Sequence, residues 1–141
     1  MNSAVHTVIA FDFGLRQIGV AVGNTLLGTT QTLPIIKAKD GIPNWRDVEE
    51  LIREWGPQLL VVGDPLNMDG SESELARRAR KFARRLNGRL GLEVTMVDER
   101  LSSFEAKTIS RERGHRGDYN CDPVDSLAAQ LILETWLAQA S

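Results

Sequence analysis

Residues 8–24 read VIAFDFGLRQIGVAVGN, two short apolar runs joined by a turn that contains Gly14. This pattern predicts a β-hairpin, with strands over about 5–13 and 17–23. Alternation with period two places Val8, Ala10 and Asp12 on one face, and Ile9, Phe11 and Phe13 on the other. A lone carboxylate in an apolar strand is costly to bury unless it is hydrogen-bonded, paired or bound to a cation. Asp12 is therefore the first candidate for chemistry, although taken alone it reads equally as a turn residue bonded to the backbone near Gly14. In the second run Gly19, Ala21 and Gly23 share a face, and such small residues admit a closely packed helix or backbone.

Outward from the hairpin, a third strand is expected over residues 30–37, with Pro34 marking an edge or a bulge. Residues 41–44 read as a loop. Asn44 then caps a helix to Trp55 whose Val48, Leu51, Ile52 and Trp55 keep the 3,4 spacing of a buried stripe. Residues 59–63, LLVVG, have the pattern of a buried parallel strand. Ser71 or Ser73 opens a long helix to Leu90 with the core stripe Leu75, Ala79, Phe82, Leu86 and Leu90. A strand over 93–97 follows, then a helix from Ser102, with Glu105 three residues on in a capping-box pattern, to near Gly114. Residues 113–121 carry no periodicity and read as a mobile surface loop. Asp122 and Pro123 form a cap and first-turn pair for a last helix, with the inner stripe Val124, Leu127, Ala128, Leu131 and Thr135.

Three strands joined without helices, followed by β-α units, imply an α/β fold: a mixed five-stranded sheet with helices on both faces. The 141 residues suit one domain spanning 1–141. The single cysteine, Cys121, excludes an internal disulfide and points to a reducing, cytoplasmic setting. No signal peptide is evident, and no apolar run approaches the ~20 residues of a membrane helix, so no membrane partner is expected. The net charge of −2 hides an uneven distribution. Arg77, Arg78, Arg80, Lys81, Arg84, Arg85 and Arg89 are seven of the 17 basic residues, with no acid among them. Pairs at i,i+4 within that run cannot balance it, so the helix is expected to hold phosphates unless other elements supply partners.

Three carboxylates fall at informative places: Asp12 at the end of strand 1, Glu99 just beyond the strand over 93–97, and Asp125 in the first turn of the last helix. In sheets of this kind ligands lie beyond the carboxyl ends of parallel strands. Clustered there, three acids would repel unless protonated or bridged by hard cations, for which Mg²⁺ or Mn²⁺ suits an all-oxygen site. Each acid also has a structural reading: Glu99 as a solvated partner of Arg100, and Asp125 as a helix N-terminal charge. His6 and His115 read as surface residues, Cys121 as inert and the tryptophans as core.

The motifs Asp-x-Gly with Arg-x-Ile-Gly-Val-Ala (12–21), Val-Gly-x-Pro-Leu-Asn-Met-Asp-Gly (62–70), Val-Asp-Glu-Arg-Leu-Ser-Ser (97–103) and Asp-x-x-Ala-Ala (125–129) together resemble the YqgF family. That resemblance spans nearly the whole chain. It implies an RNase H-like fold and a nuclease described either as a Holliday junction resolvase or as a pre-16S ribosomal RNA nuclease. It further implies that Asp12, Glu99 and Asp125 are metal-binding catalytic acids. Asp64 departs from the family in a slot that is usually apolar, and Asn24 in one often held by Asp. The expected substrate contacts are Arg16, Asn67, Arg77, Arg80, Lys81 and Arg84, and the expected partner is structured nucleic acid, either precursor rRNA or a DNA junction. Processing of the 5′ end of pre-16S rRNA is the leading expectation, by a monomer or weak dimer. The alternatives are junction cleavage and a non-catalytic nucleic-acid-binding module. An ATP-binding domain of the actin and sugar-kinase type shares the Asp-x-Gly hairpin, but needs a second domain for which 141 residues leave no room.

Overall fold

In the computed structural model, which describes residues 6–101 and 123–140, the opening stretch forms the centre of a sheet. β1 (Thr7–Asp12) and β2 (Gln17–Asn24) pair antiparallel, with Asp12 opposite Gly19. β3 (Thr29–Lys39) continues antiparallel from β2. A two-residue β4 (Ile42–Pro43) follows β3, and β5 (Leu59–Asp64) lies parallel to β1 on its other side. β6 (Glu93–Asp98) is parallel to β5, giving the order β4-β3-β2-β1-β5-β6.

The mixed α/β class is as expected, but among the described residues the sheet has six strands where five were expected. Residues 41–44 are not simply loop, because Ile42 and Pro43 turn back to pair with Lys39 and Ala38. Between them Asp40 and Gly41 have φ of 52° and 81°, the left-handed pair required by a two-residue hairpin turn, for which Asp-Gly is a preferred sequence. Pro34 lies in a bulge. The β2–β3 register passes from Ile18 opposite Ile36 to Val20 opposite Leu33, so Pro34 and Ile35 together face Gly19. A residue without an N–H is tolerated where the ladder is already broken.

Among the described residues three helices cover the sheet. α1 (Trp45–Trp55) is capped by the Asn44 side chain, which accepts from Arg46 N–H, and α2 (Glu74–Leu90) by Ser73, which accepts from Ala76 N–H. Both pack on the face carrying Ile9, Phe11, Phe13, Leu60 and Val62, where Phe82 meets Phe11 and Phe13 with ring centroids 5.6 and 5.4 Å apart. α2 buries Ala76 in place of the expected Leu75, which is 38% exposed. α3 (Pro123–Ala140) covers the other face, over Val8, Ala10, Ala21 and Val61. Its buried residues are Ser126, Leu127, Ala129, Ile132 and Leu133, a stripe turned from the expected one, which held Ala128, Leu131 and Thr135. A helix that is apolar nearly all round has no periodicity with which to choose its face. The helix expected over 102–114, the loop over 113–121 and the Asp122 cap lie outside the described residues.

Candidate active site

Asp12 closes β1 on the face covered by α3, as its alternation with Val8 and Ala10 requires. Two strands away, β6 ends at Asp98 and Glu99 opens a short 3₁₀ turn (Glu99–Leu101). That turn lays the Glu99 carboxylate back over β5, the strand between them. A Cβ built on Gly63 would stand 2.5 Å from Glu99 Oε2 and 2.5 Å from Ile132 Cδ1. Gly63 is thus a seat that any side chain would fill. Asp12 and Glu99, both half-buried, consequently flank one strand end on one face. Asp125 stands in the first turn of α3, in helical register one turn before Ala129 and two before Ile132. The structure brings the elements bearing all three acids to one edge. Among the described residues no three ligating side chains form a complete cluster. The Asp125 side chain is outside that set.

Ser126, next to Asp125, is fully buried and fixes where α3 begins. Its Oγ accepts from Val20 N–H at 3.3 Å and donates to the Leu33 carbonyl at 2.6 Å. Those two residues sit opposite each other at the β2–β3 bulge, where the backbone ladder is interrupted. One hydroxyl therefore satisfies both groups and locks the first turn of α3 beside Gly19, the cross-strand partner of Asp12. The sequence signal was available: a serine among apolar helix residues must find partners when buried.

The expected substrate contacts divide. Arg16 is exposed in the β1–β2 turn and has no ion pair among the described residues. Asn67 donates from Nδ2 to Ser71 Oγ at 3.0 Å and so helps close its own loop. Arg80 faces β5. It donates to Asp64 Oδ2 at 2.8 Å and to Glu72 Oε2 at 3.0 Å, and the bond to Asp64 pushes its pKa further up. Asp64 is only 7% exposed, so its charge is held by Arg80 rather than added to the phosphate path. Its Oδ1 has no hydrogen-bond partner among the described residues. Arg100 grips Asp98 through Nε and through Nη2 at 2.7 Å, which holds the Asp98 carboxyl below the usual carboxylate range. Its Nη1 also reaches the Met68 carbonyl at 3.4 Å, tying the loop after β5 to the end of β6.

On α2, Arg77 is exposed and paired with Glu74 at 2.6 Å, and Arg78 lies between Asp40 and Glu74. Lys81, Arg84 and Arg85 are exposed and make no ion pair among the described residues. Arg89 leaves the stripe, its guanidinium lying 4.3 Å from the centroid of the Trp45 ring.

This geometry can be set beside known proteins. A family model described as "RuvX: Holliday junction resolvase" matches residues 6–139. A protein of Chromohalobacter salexigens named "Putative pre-16S rRNA nuclease" is 58% identical over 131 residues, covering 93% of this chain and 88% of that one. A protein of Saccharophagus degradans with the same name is 54% identical over 134 residues, covering 95% and 94%. Among solved structures, T. thermophilus RuvC in complex with Holliday junction substrate aligns with a TM-score of 0.51 at 18% identity, covering 90% and 91%. That likeness is one of fold, and it agrees with the RNase H-like expectation.

Proposed function

The chain belongs to the RuvX family, and from that premise we propose that it is a divalent-metal-dependent nuclease that processes the 5′ end of precursor 16S rRNA. The observation that carries this reading is the shared seat at Gly63. Glu99 is laid across β5 toward the strand end occupied by Asp12, and the first turn of α3, with Asp125, is pinned to the adjacent strands by Ser126. These donors fit Mg²⁺ or Mn²⁺, since carboxylate oxygens are the ligands hard cations take. Asp12, Glu99 and Asp125 would hold such ions, which would supply a more acidic water and a counter-charge for the leaving oxygen of a phosphodiester. The chain's own part is to hold three acids on three elements at one edge, and to present cations that orient the backbone of the substrate. Arg77, Lys81 and Arg84 serve that role on α2, Arg16 and Asn67 at the edge itself, while Arg80 holds Asp64. The lone cysteine suits work in a reducing cytoplasm.

The rRNA assignment rests on the names of the relatives. The family description favours a second substrate, a four-way DNA junction. Cutting a junction symmetrically needs two copies of the site, so a tight dimer would favour it and a monomer would favour rRNA. The deciding experiment compares wild type with Asp12→Asn on labelled precursor rRNA and on a four-way junction, with and without Mg²⁺ or Mn²⁺. Cleavage of the precursor by wild type alone, and only with metal, is the expected result. Cleavage indifferent to the substitution or to chelation would overturn the mechanism, and binding without cleavage by wild type would reduce the chain to a binding module.

A further inference from the structure

A groove of about 570 Å³ runs between α2 and the β3–β4 turn, on the face of the sheet opposite the three acids. It begins one residue beyond Asp12, because Phe13 forms part of its floor together with Phe82. Both rings are nearly buried and packed on each other, so the floor is rigid. One wall is the Asp40–Ile42 turn. The other is a single stripe of α2 carrying Arg77, Arg78, Lys81, Arg84 and Arg85 at the 3,4 spacing of one helix face.

The charge in the groove is graded. Its two carboxylates, Asp40 and Glu74, stand at the mouth and occupy Arg77 and Arg78. Further along, Lys81, Arg84 and Arg85 have no ion pair among the described residues. Five cations against two acids, in a chain of net charge −2, is an anion site rather than a balanced surface. Successive turns of the stripe rise by ~5–6 Å, comparable with the spacing of phosphates along an extended nucleic-acid strand. The shape selects among such polyanions. A cationic groove in the protein that follows one backbone is the form single-strand sites take, whereas a duplex presents two backbones.

We infer that this groove is a track for a single-stranded segment of the substrate, entering past Phe13 from the edge that bears Asp12 and running down α2 to Arg85. This deepens the nuclease reading by naming the form of the substrate at the site's border: a strand that is unpaired where it leaves the acids. The track recognises phosphates, so RNA and DNA strands share its chemistry. It takes the identity of its ligand from the nuclease reading, yet binding can be measured without cleavage.

The test is fluorescence anisotropy on the full chain in EDTA, with a labelled oligo-U, an oligo-dT of equal length and a blunt duplex. The triple variant Lys81→Gln/Arg84→Gln/Arg85→Gln should bind both single strands at least about tenfold more weakly, with a salt slope shallower by about 2, the release expected from three lost phosphate contacts. Asp40→Asn, which keeps a residue tolerant of φ > 0 and removes a carboxylate from the mouth, should tighten single-strand binding. A folding defect could not produce that gain. Arg46→Gln/Arg53→Gln, on α1, should leave binding unchanged. Equal binding of the two strands supports the track as a reader of phosphates alone, and tighter binding of oligo-U or of oligo-dT supports it and assigns the strand to RNA or to DNA. Unchanged single-strand affinity in the triple variant, an equal loss for the duplex, or no gain in Asp40→Asn would overturn it. Failure of the track leaves the dependence of cleavage on Asp12 and on metal standing, so the two readings fail separately.

Discussion

Removing the Ser126 hydroxyl strands two polar groups at once. Ser126→Ala leaves the Val20 N–H and the Leu33 carbonyl without their partner at a fully buried site, and should cost about 1–3 kcal/mol in urea unfolding. Gly63→Ala makes the complementary experiment. Its new Cβ meets the Glu99 carboxylate and the Cδ1 of Ile132, a fully buried side chain, so overpacking should cost about 1–3 kcal/mol in unfolding while cleavage falls sharply as Glu99 is displaced. A stable Gly63→Ala protein with full activity would remove Glu99 from the proposed mechanism. Asp98 supplies a test in pH. Arg100 stabilises its charged form, so its carboxyl titrates below the usual ~3.9. A depressed folded pKa adds stability above the ordinary carboxyl range, and that contribution fades as the pH falls through the folded value. In an NMR titration Arg100→Ala should move Asp98 back up, and an unmoved midpoint would contradict the pairing. At this scale the positions of Asp12 and Glu99 at strand ends were legible from the chain alone, because a carboxylate at the end of an apolar run is visible in one dimension. Ser126, Gly63 and the Asp64–Arg80 pair were not, since each is defined by partners from distant elements.

Among the elements, α2 carries two separate duties on two sides. Its inner and β5-facing side holds Phe82, Leu86 and the Arg80–Asp64 bond, while its outer stripe carries the unpaired cations. Arg80→Ala should therefore destabilise the protein, because it leaves the nearly buried Asp64 carboxylate without its partner. Asp64→Leu in the same background should recover much of that loss, since an apolar residue removes the stranded charge. Thermal or urea unfolding of the two single variants and the double variant checks both statements. The same division explains why the basic run read as uniform in the sequence: composition records seven cations but not which neighbours neutralise them. Helix stops, caps and the β1–β2 hairpin were legible because local chemistry decides them. β4 was missed although Asp40-Gly41 is a hairpin-turn sequence, as two residues are too few to show alternation. The face of α3 was misjudged because its apolar residues run nearly all round, leaving the choice to the bulge that Ser126 fills.

At the scale of the molecule, both faces of one sheet are used unequally. The first face is covered by α1 and α2, elements that lie between β3 and β6 in the chain. The second is covered by α3, which reaches back across more than ninety residues to bond with β2 and β3. During synthesis this ordering sets a timetable. Once β6 has left the ribosome the sheet and its first two helices can assemble, but Val8, Ala10, Ala21 and Val61 lack the cover of α3 until residues 123–140 follow. Translation adds ~5–20 residues per second, so that interval is a matter of seconds. The helix that ends it also carries Asp125. On the proposed mechanism, burial of the last apolar surface and completion of the acid set are then one event. A half-made chain has neither a finished core nor the means to cut the RNA around it.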